Sequence, residues 1–301
     1  MDKVCFGSLV STVDNGMSLK SRVRNAAQRF AGYLAEPSTS QIRKDLERLT
    51  WARNDEDRHP LRICGRRHFS QNDEDGILLE ILRRLDIVDA RSFIEFGVGD
   101  GTENNTIILL SKKWRGAWIG VENLAFDVPR EPSRLVFLKR WITKDNAAAL
   151  AEEALARLGL GLSNVSVVCV DLDGNDASIV RSVIQHGASP DVFIVEYNAK
   201  FPPGVEFEMP YDESHTWRPG YDFFGVSLSS WVKTFEPAGY SLVSCNSNGV
   251  NAFFVKTAAM ERFADVPKTI EGHYRPGTYL ECPASGHRTD ARTVALLTTM
   301  K

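Results

Sequence analysis

Long apolar runs, paired cysteines and an excess of either charge are all missing from this 301-residue sequence. No stretch approaches the ~20 apolar residues of a membrane span. The N-terminal MDKVCFGSLVSTVDNG breaks its short apolar pieces with Gly, Ser, Thr and Asp, so a secretory signal is not expected. The five cysteines (Cys5, Cys64, Cys169, Cys245 and Cys282) are odd in number and form no CxxC pair. A disulfide framework is thereby disfavoured, and a reducing cytoplasm is the expected location. Lys plus Arg number 36 against 39 Asp plus Glu, a net charge of −3. Such a balance gives no overall pull towards nucleic acid or an anionic membrane, so neither is an expected partner. Internal repeats, H-x-x-x-H spacing, a nucleophile elbow and a phosphate-binding P-loop are absent too.

What is present is α/β alternation. Residues 17–68 are rich in Arg and Lys at helical spacing and are read as an N-terminal helical extension over 1–68. From Ser70, SQNDEDGILLEILRRLDI offers a Ser cap, an acidic first turn and a face of Ile77, Leu78, Ile81, Leu82 and Leu85. Apolar runs follow: SFIEFGV, GAWIGVE, RLVFL, VSVVCVDLD, DVFIVEY, YSLVSCN and VNAFFVK. They suit strands covered on both faces. Helical patterns at about 102–113, 145–159, 175–187 and 222–238 separate them, and the short NSNG turn joins the last two. The expected fold is a Rossmann-like, seven-stranded, mostly parallel sheet with an antiparallel terminal hairpin and helices on both faces. It spans 69–257, with 258–301 as a C-terminal extension.

The first strand runs into FIEFGVGDGTENNT, where Gly97, Gly99 and Gly101 permit tight turns and close approach of a ligand. Dinucleotide loops space their glycines G-x-G-x-x-G, whereas this loop is G-x-G-x-G and carries Asp100. A carboxylate there is awkward beside a pyrophosphate. S-adenosylmethionine (SAM) has a sulfonium and an ammonium but no phosphate, which favours it over NAD. Glu122, 27 positions beyond Glu95, stands at the end of the second strand, where an acid accepts from ribose hydroxyls.

The fourth and fifth strands end in VDLDGND and VEYN, bringing Asp171, Asp173, Asp176, Glu196 and Asn198 to one sheet edge. Strand alternation would let Asp171 point with Asp173, and Glu196 with Asn198. Asp171, Asp173, Glu196 and Asn198 form an oxygen-rich set of the kind Mg²⁺ or Mn²⁺ prefers. Two readings stand. The Asp173-Gly174-Asn175-Asp176 segment is a turn and helix cap, or its acids hold a metal or substrate. Without a metal, Asp171, Asp173 or Glu196 is a candidate general base. Between the fifth strand and the next helix, the long loop holds Tyr211, His215, Trp217 and Tyr221, types that cover sugar or ring faces. His215 is an alternative base. Asn246, Asn248 and Asn251 fit turn formation, with Asn251 a candidate for shaping the sheet edge.

Glu95 on the first strand and Glu122 after the second, within this alternation, resemble the class I SAM-dependent methyltransferase fold. More narrowly, SQNDEDGIL, FIEFGVGDGTENNT, VDLDGND, IVEYN and GVNAFFV resemble FkbM-type methyltransferases and their uncharacterised bacterial relatives. The resemblance implies methylation of a hydroxyl on a saccharide or secondary metabolite, with SAM held by Glu95, Gly97, Gly99, Asp100, Gly101 and Glu122. Many FkbM-type proteins have Glu-Gly-x-Glu where this chain has Asp173-Gly174-Asn175-Asp176. The strand-end acids also resemble the metal site of metal-dependent class I O-methyltransferases. The competing expectation is a non-catalytic nucleoside-binding or interaction module on the same fold.

Overall fold

The structure is a computed structural model and describes residues 58–128, 134–217, 221–277 and 292. Most of the expected N-terminal extension, 1–57, lies outside the described residues, as does most of 278–301.

All seven expected strands form: β1 (Ser92–Phe96), β2 (Arg115–Gly120), β3 (Leu135–Lys139), β4 (Val167–Val170), β5 (Val192–Glu196), β6 (Tyr240–Cys245) and β7 (Asn251–Lys256). They make one sheet in the order β3-β2-β1-β4-β5-β7-β6, and β7 runs antiparallel to both of its neighbours. This is the Rossmann-like, mostly parallel architecture expected, with the hairpin at one end. α1 (Glu74–Arg84) precedes β1; α2 (Ile107–Ser111), α3 (Ala147–Ala156), α4 (Asp176–Gln185) and α5 (Leu228–Phe235) lie between the strands, and a short α6 (Ile270–His273) follows the sheet. No helix among the described residues is long and apolar enough to cross a membrane.

Both sheet faces are covered, which explains why the strands read as apolar runs and not as alternation. On β1, Ile94 and Phe96 enter the core shared with α3, α4 and α5. Phe93, one position out of phase with them, enters the core shared with α1 and α2 on the other face. Val168 and Val170 on β4 face the first layer; Val167 and Cys169 face the second. The second core reaches past the expected boundaries: Leu61 on one side, and Phe263 and Val266 on the other, are buried in it. Residues 58–68 and 258–277 thus belong to the same packed body as 69–257.

Three helix starts differ from expectation. The helix expected from 102 begins at Ile107, because buried Glu95 takes the N–H groups of Asn105 and Thr106 and holds them in a loop. The helix expected from 222 begins at Leu228, capped by Ser227, whose Oγ accepts from the Ser230 N–H at 3.2 Å. In α1 the first helical residue is Glu74, and Ser70 is not its cap. Asp75 reaches back instead, and its Oδ2 accepts the N–H groups of His68, Phe69 and Ser70 at 2.6 to 2.9 Å.

Candidate active site at the strand ends

The loop after β1 turns on glycines in the left-handed region, with φ of 87° at Gly97, 50° at Gly99 and 81° at Gly101. Gly97 is also the tightest approach: a Cβ there would lie 1.6 Å from the carbonyl oxygen of Asp171. The absence of that carbon lets the β1 and β4 loops pack backbone to backbone. They enclose a cavity of about 210 Å³ whose walls include Glu95, Gly97, Gly99, Asp100, Asp171 and Asn251.

Glu95 borders this cavity, yet its carboxylate is committed. Asn105 N–H donates to one oxygen, and the Thr106 N–H and hydroxyl donate to the other. The Thr106 hydroxyl in turn accepts from Trp118 Nε1 at 2.8 Å. Burial raises the Glu95 pKa, and these hydrogen bonds work against that rise. Asp100 is exposed and turned on itself: its Oδ1 accepts from both the N–H and the hydroxyl of Thr102, which lowers its pKa. Gly101 packs beneath Leu124 and Phe126, in the segment that follows β2. Glu122 lies exposed on the same sheet edge, outside the cavity lining but close enough to Asp173 for its charge to raise the Asp173 pKa.

Carboxylate oxygens of Asp171, Asp173 and Glu196 all lie within 4.8 Å of one another. Strand alternation is not what joins the aspartates, since β4 ends at Val170 and Asp173 takes a left-handed turn at φ 54°. Asp176, fully buried at the start of α4, holds that turn by accepting from the N–H groups of Leu172 and Gly174. The turn reading therefore describes Asp176, the Asn175 side chain does not cap α4, and the ligand reading remains for Asp171 and Asp173. Burial followed by the neighbouring carboxylates raises the pKa of Asp171 and of Glu196 well above the ordinary range. Asp173 is raised to about 6, by burial and then by Asp176, with His215 opposing the rise.

Asn198 is tied to the long loop. Its side-chain N–H groups donate to the carbonyls of Asp222 and Phe224, and its Oδ1 accepts from the Lys200 N–H. Those bonds shape the long loop. His215 is likewise an anchor. Its Nε2 lies 3.0 Å from the Asp173 carbonyl, which only accepts, so Nε2 carries the proton and only Nδ1 keeps a lone pair. A Cβ on Gly174 would sit 2.3 Å from His215 Cδ2, so the glycine makes room for the ring. Asn175 pairs with Asp212 through both its amide groups, and Trp141 Nε1 donates to the Glu213 carbonyl at 3.0 Å. Phe201, Phe207, Met209 and Phe224 give the loop its own small core. Beyond His215, a cavity of about 380 Å³ is lined by Trp217, Tyr221 and Phe223. Tyr211 stands apart, under Lys144.

The acids read as the first turn of α1 prove to be clamps on the β6–β7 turn. Asp73 accepts from the Ser247 N–H and hydroxyl, and burial raises its pKa to about 6. Buried Glu74 accepts from the side-chain amides of Asn72, Asn246 and Asn251. The arrangement brings Asn251 to the cavity wall, where sequence reading foresaw only an edge-shaping role. Asn104, also on that wall, had no local signal to mark it.

No protein-family model matches this sequence, and no curated protein matches it. Among solved structures, a Lactococcus lactis protein described as a hemolysin is similar at 14% identity, over 60% of this chain and 85% of that one, with a TM-score of 0.37. The 1,6-didemethyltoxoflavin-N1-methyltransferase of Burkholderia thailandensis, with S-adenosylhomocysteine bound, is similar at 10% identity, over 59% and 75%, with a TM-score of 0.34. The glycopeptide N-methyltransferase MtfA, complexed with the same molecule, stands at 15% identity, 59% and 86%, and a TM-score of 0.31. At these identities and scores the likenesses carry no chemistry over to this chain.

Proposed function

We propose that this protein is a SAM-dependent methyltransferase of the FkbM type or a related family, acting on a hydroxyl of a saccharide or secondary metabolite. The observation that carries the reading is Asp171, which belongs both to the wall of the glycine-loop cavity and to the carboxylate group at the strand ends. A cofactor held by the loop would therefore present its reactive end to the acids. When bound, SAM supplies an electrophilic methyl group on a sulfonium.

The chain's own contribution is placement and proton removal. Asp173, with a pKa raised to about 6, is ionised near neutrality yet a stronger base than an ordinary carboxylate. With no cation on the carboxylates, it would accept the acceptor's hydroxyl proton as the methyl group is transferred. With SAM as methyl donor, the products would be a methyl ether, S-adenosylhomocysteine and a protonated Asp173 carboxyl. Trp217 and Tyr221, 41% and 55% exposed beside His215, offer ring faces to the acceptor.

The carboxylate group also fits Mg²⁺ or Mn²⁺, since three hard oxygen donors raise one another's pKa at close range and a cation relieves that repulsion. Asp171, Asp173 and Glu196 would hold it, and it would supply Lewis-acid polarisation of the acceptor oxygen.

Calorimetry with S-adenosylhomocysteine, with and without Mg²⁺ or Mn²⁺, tests the reading. Saturable binding that weakens at least tenfold in Glu122→Ala is the expected result, together with a metal signal that disappears in Asp171→Asn. Folded protein that gives no heat with S-adenosylhomocysteine in any condition would sink it.

A further inference from the structure

Residues from 58–62 and 264–272 lie outside the 69–257 span expected for the sheet, yet together they wall a cavity of about 520 Å³. It shares no lining residue with either cavity at the strand ends. The chain as a whole has a net charge of −3, but the described wall of this cavity carries Arg58, Arg62 and Lys268 against a single acid, Asp265. That acid is already answered. Arg84, on α1, donates from Nη1 and Nη2 to the two Asp265 oxygens at 2.5 and 3.0 Å, and the pairing holds the Asp265 pKa below the ordinary range.

The packing holds this charge in place. Arg62 is 5% exposed; its Nη1 donates to the His273 carbonyl at 2.8 Å and its Nη2 to the Gly272 carbonyl at 3.4 Å. Those carbonyls fix the guanidinium but bring no charge to cancel it. A Cβ on Gly272 would lie 2.4 Å from Pro267 Cβ, so the glycine lets the segment that carries Lys268 close on α6. The buried rings of His59 and His273 meet at 3.0 Å, Nε2 to Nδ1, and His273 Nε2 donates to the Pro267 carbonyl at 2.8 Å. Burial, with the charges of Arg62 and Lys268, lowers the His273 pKa to about 4, while the carbonyls of Pro267 and Val243 oppose the fall. His273 is thus neutral at pH 7 and senses two of the cations that line the cavity.

We infer that this cavity is a second binding site, one that takes the phosphate group of a small molecule between Arg58, Arg62 and Lys268. A guanidinium presents its N–H groups as a planar fork that matches two oxygens of a phosphate, and an ammonium adds a compact point charge. A carboxylate brings one negative charge, fewer than this wall answers, whereas a phosphomonoester brings about 1.5 to 2 at pH 7. Nucleic acid is the poorer fit, because the cations converge on one cavity and form no stripe along a face. The volume of about 520 Å³ falls within the ~300–1,000 Å³ of small-molecule sites. A bare phosphate does not fill it, so an organic group esterified to the phosphate has room. The inference is independent of the cofactor reading above.

Calorimetry on the full chain at constant ionic strength and pH 7 tests the site, with inorganic phosphate, glucose 1-phosphate, glucose and acetate as probes. Wild type is compared with Arg58→Glu and Lys268→Glu. Both side chains are exposed, so neither charge reversal disturbs a core. Wild type should bind the two phosphates saturably, acetate about tenfold more weakly, and glucose not measurably. Each reversal should weaken phosphate binding by about tenfold and leave the thermal unfolding midpoint unchanged. The His273 ring signals in an NMR titration should move along the same saturation curve, because the anion sits against the cations that act on that ring.

Glucose 1-phosphate binding tighter than inorganic phosphate supports an esterified ligand, and the reverse order overturns that ligand in favour of the free ion. Phosphate binding that survives both reversals, or that leaves the His273 signals in place, puts the anion elsewhere and overturns the site. Folded wild-type protein that binds neither phosphate saturably overturns it as well.

Discussion

Glu95 and Asp171 end neighbouring parallel strands and border one cavity, yet their charges are answered in opposite ways. Glu95 accepts three hydrogen bonds from Asn105 and Thr106, and each lowers a pKa that burial raises. Asp171 faces Asp173 and Glu196, and its largest influences, burial followed by other carboxylates, all raise its pKa. A buried carboxylate supplied with donors serves as a structural tie, because its solvation has been replaced by fixed dipoles. A group of carboxylates facing one another costs stability and is kept for what it does to a proton or a cation. The two walls of the site thus divide into a frame and a reactive edge.

Gly97→Ala attacks the frame at its closest point and should have the largest effect. The new Cβ would meet the Asp171 carbonyl oxygen at 1.6 Å and force an L-residue to φ 87°. A loss of about 3 to 5 kcal/mol is expected in denaturant unfolding, with S-adenosylhomocysteine binding abolished. A variant of wild-type stability would mean that the two loops are not packed backbone to backbone.

Glu95→Gln is the next largest. It keeps the shape but replaces one accepting oxygen with an amide that cannot take the Thr106 or Asn105 donors. A loss of about 2 kcal/mol is expected, as for a buried charged hydrogen-bond network missing one acceptor. A gain of stability would place Glu95 with the reactive acids and collapse the distinction drawn above.

This division was only partly legible in the sequence. The strands were, since two-sided burial writes each of them as a short apolar run, and the hairpin was, through NSNG. The start of α2 was not, because Glu95 holds Asn105 and Thr106 from ten and eleven positions away, and no local pattern carries that contact. The carboxylate group was placed correctly on the sheet edge for a reason that does not hold. Asp171 and Asp173 meet through a left-handed turn braced by Asp176, not through strand periodicity. The loop contacts of Asn198 were not legible, because VEYN looks the same whether its amide faces a site or a loop carbonyl. Asp73 and Glu74 sat in a plausible helix first turn, but their partners lie more than 170 positions further on, around Asn246 and Asn251.

Asp173→Asn probes the reactive edge and should have the smallest effect on stability, with the opposite sign. The folded-state pKa of Asp173 is about 6 against an ordinary 3.8, so the folded protein binds more protons than the unfolded chain between those values. By linkage the group favours folding least above pH 6, where it is charged in both states, and its penalty fades as pH falls towards 4. Removing the charge should therefore stabilise the protein at pH 7. Asp173 is partly solvated, so screening reduces the gain to about 1 kcal/mol, and Asn tolerates the left-handed backbone well. The gain should shrink steadily in unfolding experiments carried from pH 7 to pH 4, while methyl transfer at pH 7 falls sharply. A loss of stability at pH 7 that is independent of pH would make Asp173 a tie like Glu95, and the reactive edge would then have to be built on Asp171 and Glu196 alone.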